Sequence, residues 1–507
     1  MNRLLGCVCL LICSLSGWAQ VFPTLSSQRF YDNLGEDIPR KLVVSTDGQL
    51  IMGGNTLISE PGEEPCYNIW ILKVDTLGKR LWEKEVAISG CEELRDMIAT
   101  QDGGILFAGV SSSLVSPGEK GDEPYWGDFL LGKIDSLGTL EWLESYGGSN
   151  LDQANAIAEG IYREFMVVGS THSKDGDVPD HFGKSDLWAL KVDSNGKPRL
   201  NQVLGGAKNE WGNAVALCQN GDYLIAGFGN SPSAPNARLN LSDYGNGWVL
   251  RMSQQGKVIW QQNFACPFGG YFVGIRETQE GEIWVVGNQH DGDIGYDTWW
   301  IKLTGAGEML LEQQRKEKNE EYLTGMDVAA DGTLILTGYS LPRQGNKGDG
   351  KGGEDFWLMK LSSAGEVVWR QTFGGPLDER GASVLAYREG VYYALGEKVN
   401  RFTRGMDQTD RDFWLIRVEE LPEDSLEADI FVRAKEFRVN RATPTRFRAI
   451  HNYGDRFLWD FGDGTYSQEE QPLKSYQLSG MYQVRLTVFA NENCRKTVTL
   501  EKELEVW

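Results

Sequence analysis

Histidine is scarce in this chain, with four in 507 residues, and positive charge is in deficit: 50 lysines and arginines face 72 aspartates and glutamates, a formal net charge of -22. An acidic surface of that size repels nucleic acid and anionic lipid headgroups, so neither is expected as a partner. Past the first residues, no apolar run approaches the ~20 residues that a membrane span needs. There is no G-x-S-x-G elbow and no H-E-x-x-H pair, so spacing alone defends neither a nucleophile nor a catalytic metal. What the chain does have is 61 glycines and many short apolar runs, the composition of an all-β protein rich in tight turns.

The opening residues, Met1-Asn-Arg3 followed by Leu4 to Leu15 and then Ser16-Gly-Trp-Ala19-Gln20, read as a signal peptide over residues 1–20. Export to the periplasm, the outer-membrane surface or the exterior is expected. Five cysteines follow the leader, Cys66, Cys91, Cys218, Cys266 and Cys494, an odd number that leaves at least one without an intrachain partner. Cys66 and Cys91 fall in loops that open on one face of the fold inferred below. A disulfide between them and two free thiols are both open readings.

One pattern recurs seven times. Its first position is Asn68, Asp128, Asp186, Asn246, Asp297, Asp355 and Asp412; two residues on stand Trp70, Leu130, Trp188, Trp248, Trp299, Trp357 and Trp414; three further on stand Lys73, Lys133, Lys191, Arg251, Lys302, Lys360 and Arg417. Upstream of each copy lies a hairpin signal such as Asp47-Gly48, Asp102-Gly103 or Asn220-Gly221, replaced in the third repeat by Tyr162-Arg163. Six residues after the turn glycine comes another glycine, at Gly54, Gly109, Gly227, Gly287, Gly338 and Gly396, and Gly169 keeps that place in the third repeat. The basic residues are 51 to 60 positions apart, the length of one four-stranded propeller blade with a generous loop.

In Asp186 to Asp193 both faces of the strand are largely apolar, so it must be covered on both sides. Radially stacked blades do this. The seventh copy has no fourth strand behind it, whereas Gln28-Arg-Phe30 to Asp37 matches Trp369 to Asp378, which follows the sixth Trp strand. The expected fold is therefore a seven-bladed β-propeller over 21–418, closed by its N-terminal strand, then an acidic linker at 419–429 and a small all-β domain at 430–507.

The loop Ser173-Lys-Asp175-Gly-Asp177-Val178 and the strand start Gly183-Lys-Ser185-Asp186-Leu-Trp188 resemble the S-x-D-G-D and D-[FY]-W repeats of secreted Bacteroidota-type propeller proteins. The resemblance implies fold and export and carries no common activity. Trp459-Asp-Phe-Gly-Asp-Gly-Thr465, with Tyr476, Gly480, Tyr482, Val484, Leu486 and Val488, resembles the core of a PKD domain, which implies an Ig-like sandwich serving as a spacer or a contact. Asp460 and Asp463 are expected to form turns around a buried Trp459.

The long polar loops between second and third strands, at 173–185, 288–297, 341–355 and 399–412, are the expected ligand face, with candidate residues near His181, His290 and Asp349. Asp175, Asp177 and Asp180 alternate with small residues in a way that can wrap Ca²⁺, although the rest of an EF-hand loop is missing. Solvated turns are the competing reading. No further cofactor is expected. The repeating Trp and Lys/Arg are read as core and as structural charge. The functional expectation is a non-catalytic binding or scaffold protein that recognises a protein or a glycan. The alternative is a carbohydrate-active hydrolase or lyase with its carboxylates on the same loops.

Overall fold

The computed structural model describes residues 21–507 apart from position 34 and the segments 60–65, 88–89, 113–126, 232–243, 293–294, 343–352, 403–408, 423–427, 435–436, 452–455 and 490–494. The expected leader, Cys494 and Asp349 lie outside the described residues. The chain divides into two compact units, Leu25–Val418 and one containing Glu419–Trp507.

The larger unit is built of seven four-stranded sheets. In the third, Asp152–Glu159, Phe165–Thr171, Asp186–Val192 and Pro198–Leu204 pair antiparallel in chain order. The seventh is made of Glu379–Arg388, Val391–Phe402 and Thr409–Pro422, and its fourth place is taken by Val21–Tyr31 from the start of the described chain. Strand Thr409–Pro422 therefore runs through 419–422, which composition assigned to a linker. The N-terminal strand, 11 residues long, is its ladder partner.

Seven strands open the sheets: Asp37–Val44, Glu92–Ala99, Asp152–Glu159, Glu210–Leu217, Gly270–Glu277, Glu320–Val328 and Glu379–Arg388. Each adjoins the next, and the last adjoins the first. All seven carry a β-bulge at the same place, at Arg40, Arg95, Asn155, Asn213, Val273, Thr324 and Ala382. The second recurring glycine faces the residue before the bulge. A Cβ on Gly109, Gly169, Gly227, Gly287 or Gly338 would collide with the carbonyl oxygen of Glu93, Gln153, Trp211, Tyr271 or Tyr322. The glycine thus makes room for a bulge, and the bulge turns one extra residue per sheet toward the axis.

The third strands behave as their two apolar faces require. Every residue of Asp186–Val192 is buried, and Trp70, Trp188, Trp299 and Trp357 are at most 1% exposed. The basic residue ends at the hairpin turn between the first two strands of its own sheet, with Lys73 on Asp47 (2.7 Å), Lys133 on Asp102 (2.7 Å), Lys191 on Glu164 (2.7 Å), Arg251 on Asp222 (2.9 Å) and Lys302 on Glu282. These carboxylates are partly solvated, so each pair adds little stability and serves mainly to place the turn. In the third repeat, where the turn glycine is missing, Tyr162 and Arg163 themselves take positive φ angles of 61° and 58°. Cys66 and Cys91 form a disulfide, and Cys218 and Cys266 are free and buried.

The C-terminal unit holds short sheets around Phe447, Trp459, Phe461, Tyr476 and Leu486. Trp459 is fully buried and donates from Nε1 to the Glu469 carbonyl at 2.8 Å. Asp460 accepts the Gly462 N–H at 2.9 Å and Asp463 accepts that of Thr465 at 3.1 Å, so both act as turn formers.

Candidate functional site: the axial cavity and its rim

The opening strands enclose a cavity of about 420 Å³. The bulge residues form a girdle inside it, and three of them bridge to the next sheet: Asn155 Nδ2 donates to Gly212 O and Asn213 Nδ2 to Phe272 O, both at 3.0 Å, and Thr324 Oγ1 donates to Gly381 O at 2.7 Å. Deeper in the cavity, Asp96 pairs with Lys41 at 2.8 Å and accepts the Ile157 N–H at 3.0 Å; Asp327 accepts the Ala386 N–H at 2.9 Å. Burial raises the Asp327 carboxyl above its usual range, against the pull of Arg276 and of the Ala386 and Val328 N–H groups. These bonds lace neighbouring sheets together and leave the girdle polar.

Antiparallel pairing puts the starts of first and third strands at one end of each sheet, so the long loops between second and third strands surround this mouth. Here the residue two before the bulge is Glu93, Gln153, Trp211, Tyr271, Tyr322 or Arg380 in six of the sheets. Tyr271, Tyr296, Tyr322 and Tyr339 form a chain of ring contacts with centroids 5.8, 5.5 and 5.0 Å apart, the last pair stacked at 12°. His290 meets Tyr296 edge-on at 5.2 Å. The rings are half-buried, so part of each faces solvent. Burial, reinforced by the Glu320 carboxylate 3.0 Å from its hydroxyl, pushes the Tyr322 phenol up; burial holds Tyr271 at about 12.

The rim continues as charge. The Arg380 guanidinium lies 5.2 Å from the Tyr339 ring, is bonded to both oxygens of Glu354, and stands 3.7 Å from Glu397. Arg411 bridges Glu397 at 2.9 Å and Glu36 at 3.1 Å, and Arg95 pairs with Glu93 at 3.0 Å. Burial raises the Glu397 carboxyl while Arg411 and Arg380 pull it back. The rim thus offers flat aromatic faces beside arginine–carboxylate pairs.

Of the residues singled out from the sequence, His290 joins this rim. His181 sits elsewhere, its Nδ1 3.2 Å from buried Asp186. Asp175 and Asp177 are occupied in bracing a neighbouring connection, accepting the N–H groups of Ser149 (2.8 Å) and Gly147 (3.2 Å), while Asp180 is exposed. Among the described residues, Asp32, Asp37 and Asp412 each place one carboxylate oxygen within 4.8 Å of the others. Sequence reasoning looked only at the loops and missed Tyr271, Tyr322, Tyr339 and Arg380, which come from strands. The signal was present, because bulky or charged residues recur near the start of the first strand in the repeats.

Residues 435–506 match the PKD domain family, so the C-terminal unit is a PKD domain. Over 238 residues the chain is 24% identical to the regulatory protein FlaEY of Caulobacter vibrioides, an alignment covering 41% of this chain and a quarter of that relative. Among solved structures, the Pan2 WD40 domain of Neurospora crassa shares 10% identity at a TM-score of 0.46, covering 78% of this chain and 96% of its own. The hydrazine synthase of Kuenenia stuttgartiensis shares 11% at 0.43, with 71% and 94% covered. The PQQ-bound aldose sugar dehydrogenase of Streptomyces coelicolor shares 13% at 0.34, with 80% and 99% covered. By its own strand pairing the larger unit is an all-β assembly of four-stranded sheets, each adjoining the next.

Proposed function

We propose that the chain is an exported, non-catalytic binding or scaffold protein: a seven-bladed propeller closed by its N-terminal strand, with a PKD domain as spacer or second contact. The observation that carries the binding role is the rim, where tyrosine faces from the fifth and sixth sheets adjoin the Arg380–Glu354 pair at the cavity mouth. Aromatic faces favour the C–H faces of a sugar or the side chains of a peptide, and the fixed charges orient a polar partner. A protein or a glycan is the expected ligand. The rim glutamates Glu354 and Glu397 are both held by arginines, an arrangement that favours recognition over acid–base hydrolysis. The Cys66–Cys91 disulfide supports an oxidising compartment, the periplasm, outer-membrane surface or exterior.

The test is binding of the purified full chain to a glycan array, together with capture from the native envelope, repeated with Tyr322→Ala and Tyr339→Ala. Loss of the signal in either variant, at unchanged thermal stability, is the expected outcome. Binding equal to the native chain in both would remove the rim from the interface.

A further inference from the structure

The seven bulges that turn a residue toward the axis do not carry equivalent side chains. Five are neutral, Asn155, Asn213, Val273, Thr324 and Ala382, whereas the two on the adjoining first and second sheets are Arg40 and Arg95. Both arginines line the cavity and both are half-buried. A chain with a net charge of -22 thus sets two cations on neighbouring walls of its central cavity.

Other charges around the cavity are already matched. Lys41 is paired with Asp96 at 2.8 Å, and Arg276 lies near enough to Asp327 to draw its carboxyl down. Arg95 gives a terminal nitrogen to Glu93 at 3.0 Å. Arg40 differs. Its Nε is buried without a partner, and among the described residues its terminal nitrogens make no hydrogen bond or ion pair. The carboxylates within electrostatic reach of it, Glu93 and Glu397, are held by Arg95 and by Arg411. Burial, and then the Arg95 charge, pull Arg40 below the ordinary guanidinium range. A half-buried cation crowded by a second one and lacking hydrogen bonds is destabilised; an oxyanion shared by the two guanidinium groups removes both costs.

The charge count selects the kind of anion. Of the residues lining the cavity, Arg40, Lys41, Arg95 and Arg276 are positive and Asp96, Glu159 and Asp327 negative, 4 − 3 = 1. A single negative charge balances that excess, and a dianion exceeds it. A carboxylate also matches the planar fork of arginine. The volume of about 420 Å³ holds one small organic molecule, and Val43, Ile98, Val273 and Leu385 give the wall an apolar part.

We propose that the cavity binds one small organic monocarboxylate, its carboxylate held between Arg40 and Arg95 and its carbon frame against the apolar part of the wall. This site goes beyond the recognition of a glycan or protein at the rim: it depends on two arginines of the girdle and not on the tyrosine row, so its failure leaves the rim reading standing.

The test is titration calorimetry of the full chain at pH 8, with glucuronate as the probe, glucose as its uncharged counterpart and inorganic phosphate as a dianion, on the native chain and on Arg40→Asn. Asparagine occupies the same bulge in the third and fourth sheets, so the architecture accommodates this substitution. The native chain is expected to bind one glucuronate, no glucose, and phosphate about tenfold more weakly; Arg40→Asn is expected to lose about tenfold or more in glucuronate affinity. Without ligand the variant should unfold at the same Tm as the native chain or above it, since it has lost an unpaired charge. Equal glucuronate binding in Arg40→Asn, glucose or phosphate bound as tightly as glucuronate, or no glucuronate binding to the native chain overturns the proposal. If Arg40→Asn fails to fold, Arg40→Gln, which keeps more of the side chain's length, takes its place under the same criteria.

Discussion

The carboxylate pair between the second and third sheets yields a prediction that can be worked through. Asp128 opens the third strand of one sheet and Asp152 the first strand of the next; burial first, and then the Asp152 charge, raise Asp128 from 3.8 to about 6. A raised acid favours the folded state while it is protonated, so this contribution is complete below pH 4 and is lost as pH rises through 6. The shift corresponds to at most about 3 kcal/mol. Asp128 keeps partial access to solvent, and screening reduces the figure to about 1–2 kcal/mol. The first and fourth sheets carry Asn68 and Asn246 at this position, so Asp128→Asn is a substitution the architecture already accommodates. Its amide can donate toward Asp152, replacing the buried Asp128 Oδ1 that has no partner. The variant is expected to be about 1–2 kcal/mol more stable than the native chain at pH 8, with the advantage shrinking by about 1 kcal/mol at pH 5. Urea unfolding followed by tryptophan fluorescence at pH 5, 6, 7 and 8 measures the difference. A gap that does not change with pH, or a variant less stable at pH 8, would refute the account of Asp128 as an acid raised by burial and by the Asp152 charge.

Two further outcomes follow from the backbone and the thiols. Gly109→Ala places a Cβ against the Glu93 carbonyl oxygen, which cannot move without undoing the bulge, so a loss of about 3 kcal/mol or more is expected; a Tm within a degree or two of native would show that the bulge is not required. The Cys66–Cys91 bridge spans 25 residues, and Cys66→Ser with Cys91→Ser should cost about 3 kcal/mol on loop-closure grounds, while burial pushes Cys218 and Cys266 up to about 12 and keeps them silent to a thiol reagent until the chain unfolds. Rapid labelling of either free thiol in the native protein would contradict that burial.

Much of the architecture could be read from the chain because each repeat states the same local instructions. Asp-Gly turns set hairpins, Trp strands with two apolar faces demand cover on both sides, and the match of Gln28–Asp37 to the stretch after the sixth Trp strand assigned the N-terminal strand to the seventh sheet. The recurring glycine was visible too, but its reason was not. Only the paired strands show that it stands opposite a bulge, since a bulge is a mismatch between two strands and belongs to neither sequence alone. The rim escaped notice for a similar reason. Tyr271, Tyr322 and Tyr339 look like ordinary strand residues until successive sheets bring them into one row.

The sequence by itself determined the local alternation of strand and turn, the recurrence of the Trp-strand pattern and the PKD motif, because those depend on spacing within a few dozen residues. Tertiary structure decided which side chains meet: the polar girdle of the cavity, the tyrosine and arginine rim, and the convergence of Asp32, Asp37 and Asp412. Those groups lie tens to hundreds of residues apart, and only the stacking of one sheet on the next sets the distances between them.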